Sequence, residues 1–375
     1  MRERASRGYG HADRDRRHRG CRDDGGGIAI NLAQHGFHVL LTDARPAAVE
    51  AAIAGAASFW NRAVEKGRLT AADAETARGR LEGVPTMRAL APSDLVIEAV
   101  FEDFDLKARL FEELSGVVRP AALVATNTSC LRVGDLAQHM RGPERFLGLH
   151  YFSPAAVNPI VEVVMGERTA PDVVEAALAF CAASGKQPLR CRDSFGFAIN
   201  RFFCPYTNEA ARALDDGLGG TGEIDAVARE VLGAAAGPFT VMNLIKPRIN
   251  LHAIRNLAPL GPFYAPAAAM VAAGDADRSF ELTNGAAPSG ERQAAIADRL
   301  LRGCFLPVLQ ALEEKVAEPA AFDRGAREAL KFGIGPCALM DRLGKPEVER
   351  IVAPALQEYG IARPSALDAI GRLVE

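Results

Sequence analysis

Gly25-Gly-Gly-Ile-Ala-Ile-Asn-Leu-Ala-Gln-His-Gly-Phe-His-Val-Leu-Leu-Thr-Asp43 decides how the first half of this chain is read. Its apolar residues fall at helical spacing up to Gly36, a helix-ending glycine. A strand-like run, Phe37 to Thr42, follows and ends on the acidic Asp43. Helix, strand and terminal acid form the second half of a βαβ dinucleotide-binding unit, in which the acid takes ribose hydroxyls. The stretch therefore predicts a doubly wound α/β domain of the Rossmann type.

Such a unit should open with a strand and a G-x-G-x-x-G loop, and neither is written in residues 1–24. That segment is rich in arginine, almost free of apolar residues, and carries Glu3, Asp13, Asp15, Asp23 and Asp24. At face value it is a solvated, disordered tail. Its acids argue against a mitochondrial transit peptide. A shifted reading frame explains it better. Gly20-Cys-Arg-Asp-Asp-Gly25 can be encoded GGG TGC CGG GAC GAT GGG. Read one base later, the same bases give Gly-Ala-Gly-Thr-Met-Gly, the missing loop. The same offset turns the preceding arginine-rich codons into a possible Val/Ile strand.

Working outward, the 375-residue chain has room for two or three domains. It is 49% hydrophobic and 24% charged, as ordinary globular proteins are. A net charge of −3 argues against a general nucleic-acid binder. The seven cysteines show no zinc or C-x-x-C spacing, which points to a reduced, cytoplasmic setting without a bound metal. No membrane span or signal-peptide core is apparent.

Residues 46–81 read as one alanine-rich helical stretch, with Lys66 near its basic, exposed end. Asp94-Leu-Val-Ile-Glu-Ala-Val100 and Ala121-Ala-Leu-Val-Ala125 read as buried strands. Glu102 and a helix beginning near Lys107 follow the first of these, and Thr126-Asn-Thr-Ser129 follows the second. Ligands of doubly wound folds bind at strand carboxyl ends, so these polar residues lie where a ligand belongs. Two further apolar runs, Leu147-Gly-Leu-His-Tyr151 and Ile160-Val-Glu-Val-Val164, flank turn-forming Ser153-Pro154 and Asn158-Pro159. Each run contains one ionisable residue, His150 or Glu162. Antiparallel pairing would let the carboxylate take one ring N–H and leave the other nitrogen as a general base. In isolation, such a pair reads first as a core histidine beside a rim glutamate. A helix over 172–184 and a strand near 187–190 complete the domain.

Beyond residue 190 the pattern is all-helical and repeats itself. Asp225, Gly237-Pro238 and Met242 correspond to Asp323, Gly335-Pro336 and Met340, each pair 98 positions apart. The same offset sets Asn200-Arg201 against Asp298-Arg299. The expected organisation is an atypical segment at 1–24, a nucleotide domain at 25–190, and two helical copies at 191–283 and 291–375. Because the second copy has Asp298 in place of Asn200, only the first should serve a site.

Taken together, Ala125-Thr-Asn-Thr-Ser129, Gly148-Leu-His-Tyr-Phe152, Val161-Glu-Val-Val164 and Gly196-Phe-Ala-Ile-Asn-Arg201 resemble the L-3-hydroxyacyl-CoA dehydrogenase family. The likeness runs from about Gly25 to the end, and the duplicated unit resembles the tandem C-terminal domains of multifunctional fatty-acid oxidation subunits. The resemblance implies NAD-dependent oxidation of a 3-hydroxyacyl-CoA. It implies that His150 is the base, that Glu162 orients it, and that Ser129 and Asn200 hold the substrate oxygen. It also implies cofactor contacts from Asp43, Glu102 and Lys107, and a CoA contact from Lys66. Asp43 favours NAD over NADP, since a 2′-phosphate would sit against it. Ser153 departs from the family's usual asparagine. Two alternatives stand beside this reading: a hydroxy-acid dehydrogenase acting without CoA, and a catalytically impaired relative lacking the glycine loop. The repeat suggests either a monomer with internal pseudo-twofold symmetry or a homodimer.

Overall fold

Eight strands line up in the order β3-β2-β1-β4-β5-β6-β7-β8, with the sequence order reversing between β1 and β4. The computed structural model describes residues 9–11 and 23–374, which divide between Asp193 and Ser194 into two compact units. The first unit holds β1 (Tyr9–His11), α1 (Asp23–Gln34), β2 (Val39–Asp43), α2 (Pro46–Glu65), α3 (Ala71–Arg78) and β3 (Leu81–Gly83). It continues with β4 (Leu95–Glu98), α4 (Phe104–Leu114), β5 (Leu123–Thr126) and the single turn α5 (Val133–Leu136). β6 (Phe146–Tyr151), β7 (Ile160–Met165), α6 (Pro171–Ala183) and β8 (Gln187–Arg192) complete it. All neighbouring strands run parallel except β6 and β7. This is the doubly wound arrangement expected from the helix–strand–acid signature.

Three local readings change. The first-strand slot is filled: Tyr9–His11 pairs with β2 and β4, setting Tyr9 against both Leu41 and Ile97. Without a strand there, the facing N–H and C=O groups of β2 and β4 would lack ladder partners. Residues 1–8 and 12–22 lie outside the described residues, and with them the first half of the stretch that re-reads as a glycine loop. The helical stretch 46–81 breaks at Gly67, whose φ of +64° ends the run. Thr70 then restarts it by accepting the Asp73 N–H at 3.1 Å, and Leu81–Gly83 leaves the helix as an edge strand.

The second unit is helical: α7 (Asn200–Asp215), α8 (Thr221–Leu232), α9 (Pro238–Ile245), α10 (Pro247–Asn256), α11 (Ala268–Asp275), α12 (Glu291–Glu313), α13 (Pro319–Glu328), α14 (Pro336–Leu343) and α15 (Lys345–Glu358). The offset of 98 read from sequence carries the start of α8, α9 and α10 onto the start of α13, α14 and α15. It also maps the end of α7 onto the end of α12. Asp225 accepts the Phe239 and Thr240 N–H groups at 2.7 and 3.0 Å, capping α9. Asp323 caps α14 in the same way through Cys337 and Ala338, at 2.7 and 2.9 Å. Gly237 and Gly335 have no room for a Cβ, which would fall 2.3 Å from the capping aspartate in each copy. The repeated Asp…Gly-Pro pattern is therefore one capping device used twice. The copies share one compact unit because α7 and α12 meet closely: a Cβ on Gly303 would lie 2.8 Å from the Tyr206 Cα.

Candidate active site

Strands β6 and β7 bring the two ionisable residues together. Their antiparallel register sets His150 directly opposite Glu162. Both are buried, and His150 Nδ1 lies 2.7 Å from Glu162 Oε2. Opposed side chains of a ladder share one face, so the register alone makes this contact. Glu162 acts as acceptor, which assigns the ring proton to Nδ1. Phe152 packs on the imidazole with ring centroids 4.5 Å apart.

The carboxyl end of β5 lies beside β6 and is tied to it, because the Tyr151 N–H donates to Asn127 Oδ1 at 2.8 Å. Ser129 follows, with its backbone N–H donating to Glu102 at 2.8 Å. Glu102 also accepts from the Thr128 hydroxyl at 2.5 Å and the Cys130 N–H at 3.1 Å. Lys107 Nζ lies 3.2 Å from the other Glu102 oxygen. Burial alone would raise the Glu102 pKa. The Lys107 charge and these hydrogen bonds outweigh burial and hold it at about 2.

Lys107 is itself fully buried, and burial favours its neutral form. Glu98 and Glu102 together overcome that and raise its pKa above the ordinary lysine value. Glu98 is a site residue the sequence reading passed over. It accepts from Lys107 at 2.7 Å, from the Thr126 hydroxyl at 2.6 Å and from the Val100 N–H at 2.6 Å. One carboxylate thus joins the ends of β4 and β5 to α4. The available signal was the one that singled out His150 and Glu162: a charge inside an apolar strand.

Asp43 ends β2 on the wall of a cavity of about 760 Å³. Gly25 and Gly27 of α1, Phe59 and Arg62 of α2, and the β6–β7 loop at 153–157 form other parts of that wall. A second cavity of about 210 Å³ shares Thr42 and Asp43. An acceptor at the end of β2, facing a cavity beside the start of α1, fits the adenosine ribose of a dinucleotide. Gly27 lets the helix start approach the loop, since a Cβ there would be 3.1 Å from the Ala155 Cβ. The Arg45 N–H donates to Asp43 at 2.8 Å.

Lys66 is exposed as the C-cap of α2 and is not on the cavity wall, whereas Arg62, one turn earlier, is. Asn200 opens α7 in the helical unit. Next to it, Arg201 is buried and pairs with Glu314 at 2.5 Å. Among the described residues, no helix is long and apolar enough to cross a membrane.

Residues 24–194 match the NAD binding domain of 3-hydroxyacyl-CoA dehydrogenases, and residues 196–279 match their C-terminal domain. The 3-hydroxyadipyl-CoA dehydrogenase of Escherichia coli is 42% identical over 226 residues, 60% of this chain and 48% of the relative. The chain thus spans about half the length of that curated relative, and 27% of the Pseudomonas aeruginosa fatty acid oxidation complex subunit alpha. Among solved structures, 3-hydroxybutyryl-CoA dehydrogenase from E. coli superposes with a TM-score of 0.82 at 26% identity, covering 97% of this chain and 98% of the other. (S)-3-hydroxybutyryl-CoA dehydrogenase from Ralstonia eutropha is 33% identical, with a TM-score of 0.67, and covers 72% of this chain and 95% of its own. By its matched domains, its fold and these relatives, the chain belongs to the 3-hydroxyacyl-CoA dehydrogenase family.

Proposed function

We propose that this chain oxidises L-3-hydroxyacyl-CoA to 3-ketoacyl-CoA, reversibly, with NAD as cofactor. The carrying observation is the buried 2.7 Å contact between His150 and Glu162 beside the polar end of β5. Bound NAD supplies the hydride acceptor, so the protein must hold the carbinol and take one proton. His150 Nε2 removes the hydroxyl proton while Nδ1–H stays on Glu162, whose charge offsets the imidazolium. The Ser129 hydroxyl and the Asn200 amide hold the substrate oxygen and stabilise the carbonyl as it forms. Glu102, anchored by Lys107 and the Thr128 hydroxyl, fixes the backbone at Ser129. Asp43 takes the adenosine ribose, and Lys66 at the end of α2 meets the CoA nucleotide.

The names of the relatives support a CoA thioester and include both a short chain, 3-hydroxybutyryl, and a dicarboxylic one, 3-hydroxyadipyl. The test is NADH-dependent reduction of acetoacetyl-CoA and 3-oxoadipyl-CoA, compared with acetoacetate. Turnover of the thioesters alone supports the proposal. Equal turnover of the free acid would move the chain to the CoA-independent reading.

One observation favours a second reading, that of a weak NAD binder. A helix N-terminus draws anions, yet Asp24 places a carboxylate in the first turn of α1, where a diphosphate would sit. Fluorescence titration of the chain with NADH separates the two. Micromolar affinity supports the enzyme reading; absent binding supports the impaired one.

A further inference from the structure

Lys186, in the turn between α6 and β8, is buried and has no part in the chemistry above. Its ammonium donates to the carbonyl oxygens of Ala155 and Asn158, each at 2.7 Å. Both carbonyls belong to the loop that leaves His150 and returns to Glu162, and residues 153–157 of that loop line the large cavity. On the other side, the loop packs against the start of α1 at Gly27. The lysine's own turn is bound to the same helix, since Asn31 Nδ2 donates to the Ser184 carbonyl at 3.1 Å. One turn therefore grips both α1 and the loop packed against it.

The arrangement is costly. Burial lowers the Lys186 pKa to about 8, and the neighbouring Cys181 thiol offsets little of that. A buried charge held by carbonyls is a costly means of stabilising a fold. It is a good means of fixing the position of two particular carbonyls.

We propose that Lys186 is a positioning residue for the nucleotide: it holds the 153–157 loop in place against the start of α1, and so fixes the part of the cavity wall that the two form together. The proposal rests on the reading of that cavity as part of the NAD site. His150 and Glu162 are held by the β6–β7 ladder and do not depend on this grip.

The test compares wild type, Lys186→Met and Lys186→Arg in NADH titration, steady-state kinetics with acetoacetyl-CoA, thermal melting and amide exchange. Lys186→Met should raise KM and Kd for NADH about tenfold, roughly the weight of one lost charged hydrogen bond. Its kcat should stay within about twofold, because the ladder still holds the base. Its melting temperature should fall modestly, because two buried carbonyls lose their donor, and the Val157 and Asn158 amides should exchange faster. Lys186→Arg should recover part of the affinity. Unchanged NADH affinity in Lys186→Met, or lost kcat with KM constant, would overturn the proposal while leaving the enzyme reading intact. A wild-type chain that binds no NADH would remove the nucleotide reading and this proposal with it.

Discussion

Arg201 pairs with Glu314, and the offset of 98, taken forward from the arginine and back from the acid, gives a second pair, Arg299 with Asp216. Arg201 and Asp216 belong to one helical copy; Glu314 and Arg299 belong to the other. Reciprocal contacts of this kind are the mark of an isologous interface, here formed within one chain. Backbone bonds repeat the theme, with the Ala235 N–H on the Lys331 carbonyl and the Gly333 N–H on the Leu232 carbonyl. Because each copy already covers the other, the chain should be a monomer. Light scattering should give a mass near 39.9 kDa, and a mass twice that would show that another surface pairs.

The meeting of α7 and α12 depends on Gly303, where a Cβ would lie 2.8 Å from the Tyr206 Cα and 2.9 Å from the Pro205 carbonyl oxygen. Both are backbone atoms and cannot turn aside. Gly303→Val should cost about 1–3 kcal/mol through forced separation of the helices. Denaturant unfolding followed by circular dichroism measures it, and an unchanged midpoint would contradict the close packing.

Removing the repeated cap should cost more in the first copy than in the second. Asp225 accepts two N–H groups and the Thr240 hydroxyl at 2.6 Å, whereas Asp323 accepts the two N–H groups with no threonine at the matching position, Ala338. Each Asp→Ala change should cost about 1–2 kcal/mol or more, with Asp225→Ala the greater. Paired melts of the two variants check the order.

Acid should loosen the cofactor side of the sheet. Glu102 titrates at about 2 when folded, against an ordinary value of 4.5, so it binds fewer protons folded than unfolded in that window. Its contribution to stability is complete above 4.5 and is lost as the pH falls through about 2. Glu102→Gln should flatten stability against pH between those values, as read from urea melts. A variant as acid-sensitive as wild type would contradict the pairing with Lys107.

Much of this was legible because the relevant signals are local. Periodicity and the Gly36 stop mark α1, and Asp43 marks the end of β2. The uncompensated charges at 150 and 162 mark a buried pair because burying either residue alone would be expensive. The repeat was visible because both caps need the same Asp…Gly-Pro spacing. What stayed hidden depends on tertiary contact. Tyr9–His11 has no strand pattern of its own and enters the sheet through β2 and β4. Glu98 gained meaning only when Lys107 and Thr126 were found against it. Lys186 looked like an ordinary residue after a helix end until the loop carbonyls appeared above it. Gly67 broke a helix that composition alone would have continued.

The most direct test of the central claim is reduction of acetoacetyl-CoA by NADH, followed at 340 nm, in wild type and His150→Ala. The variant should lose about 10²–10⁴-fold in kcat, the usual weight of a general base, with NADH affinity unchanged. Turnover near that of wild type would show that the buried His150–Glu162 pair is structural and that the proton leaves by another route.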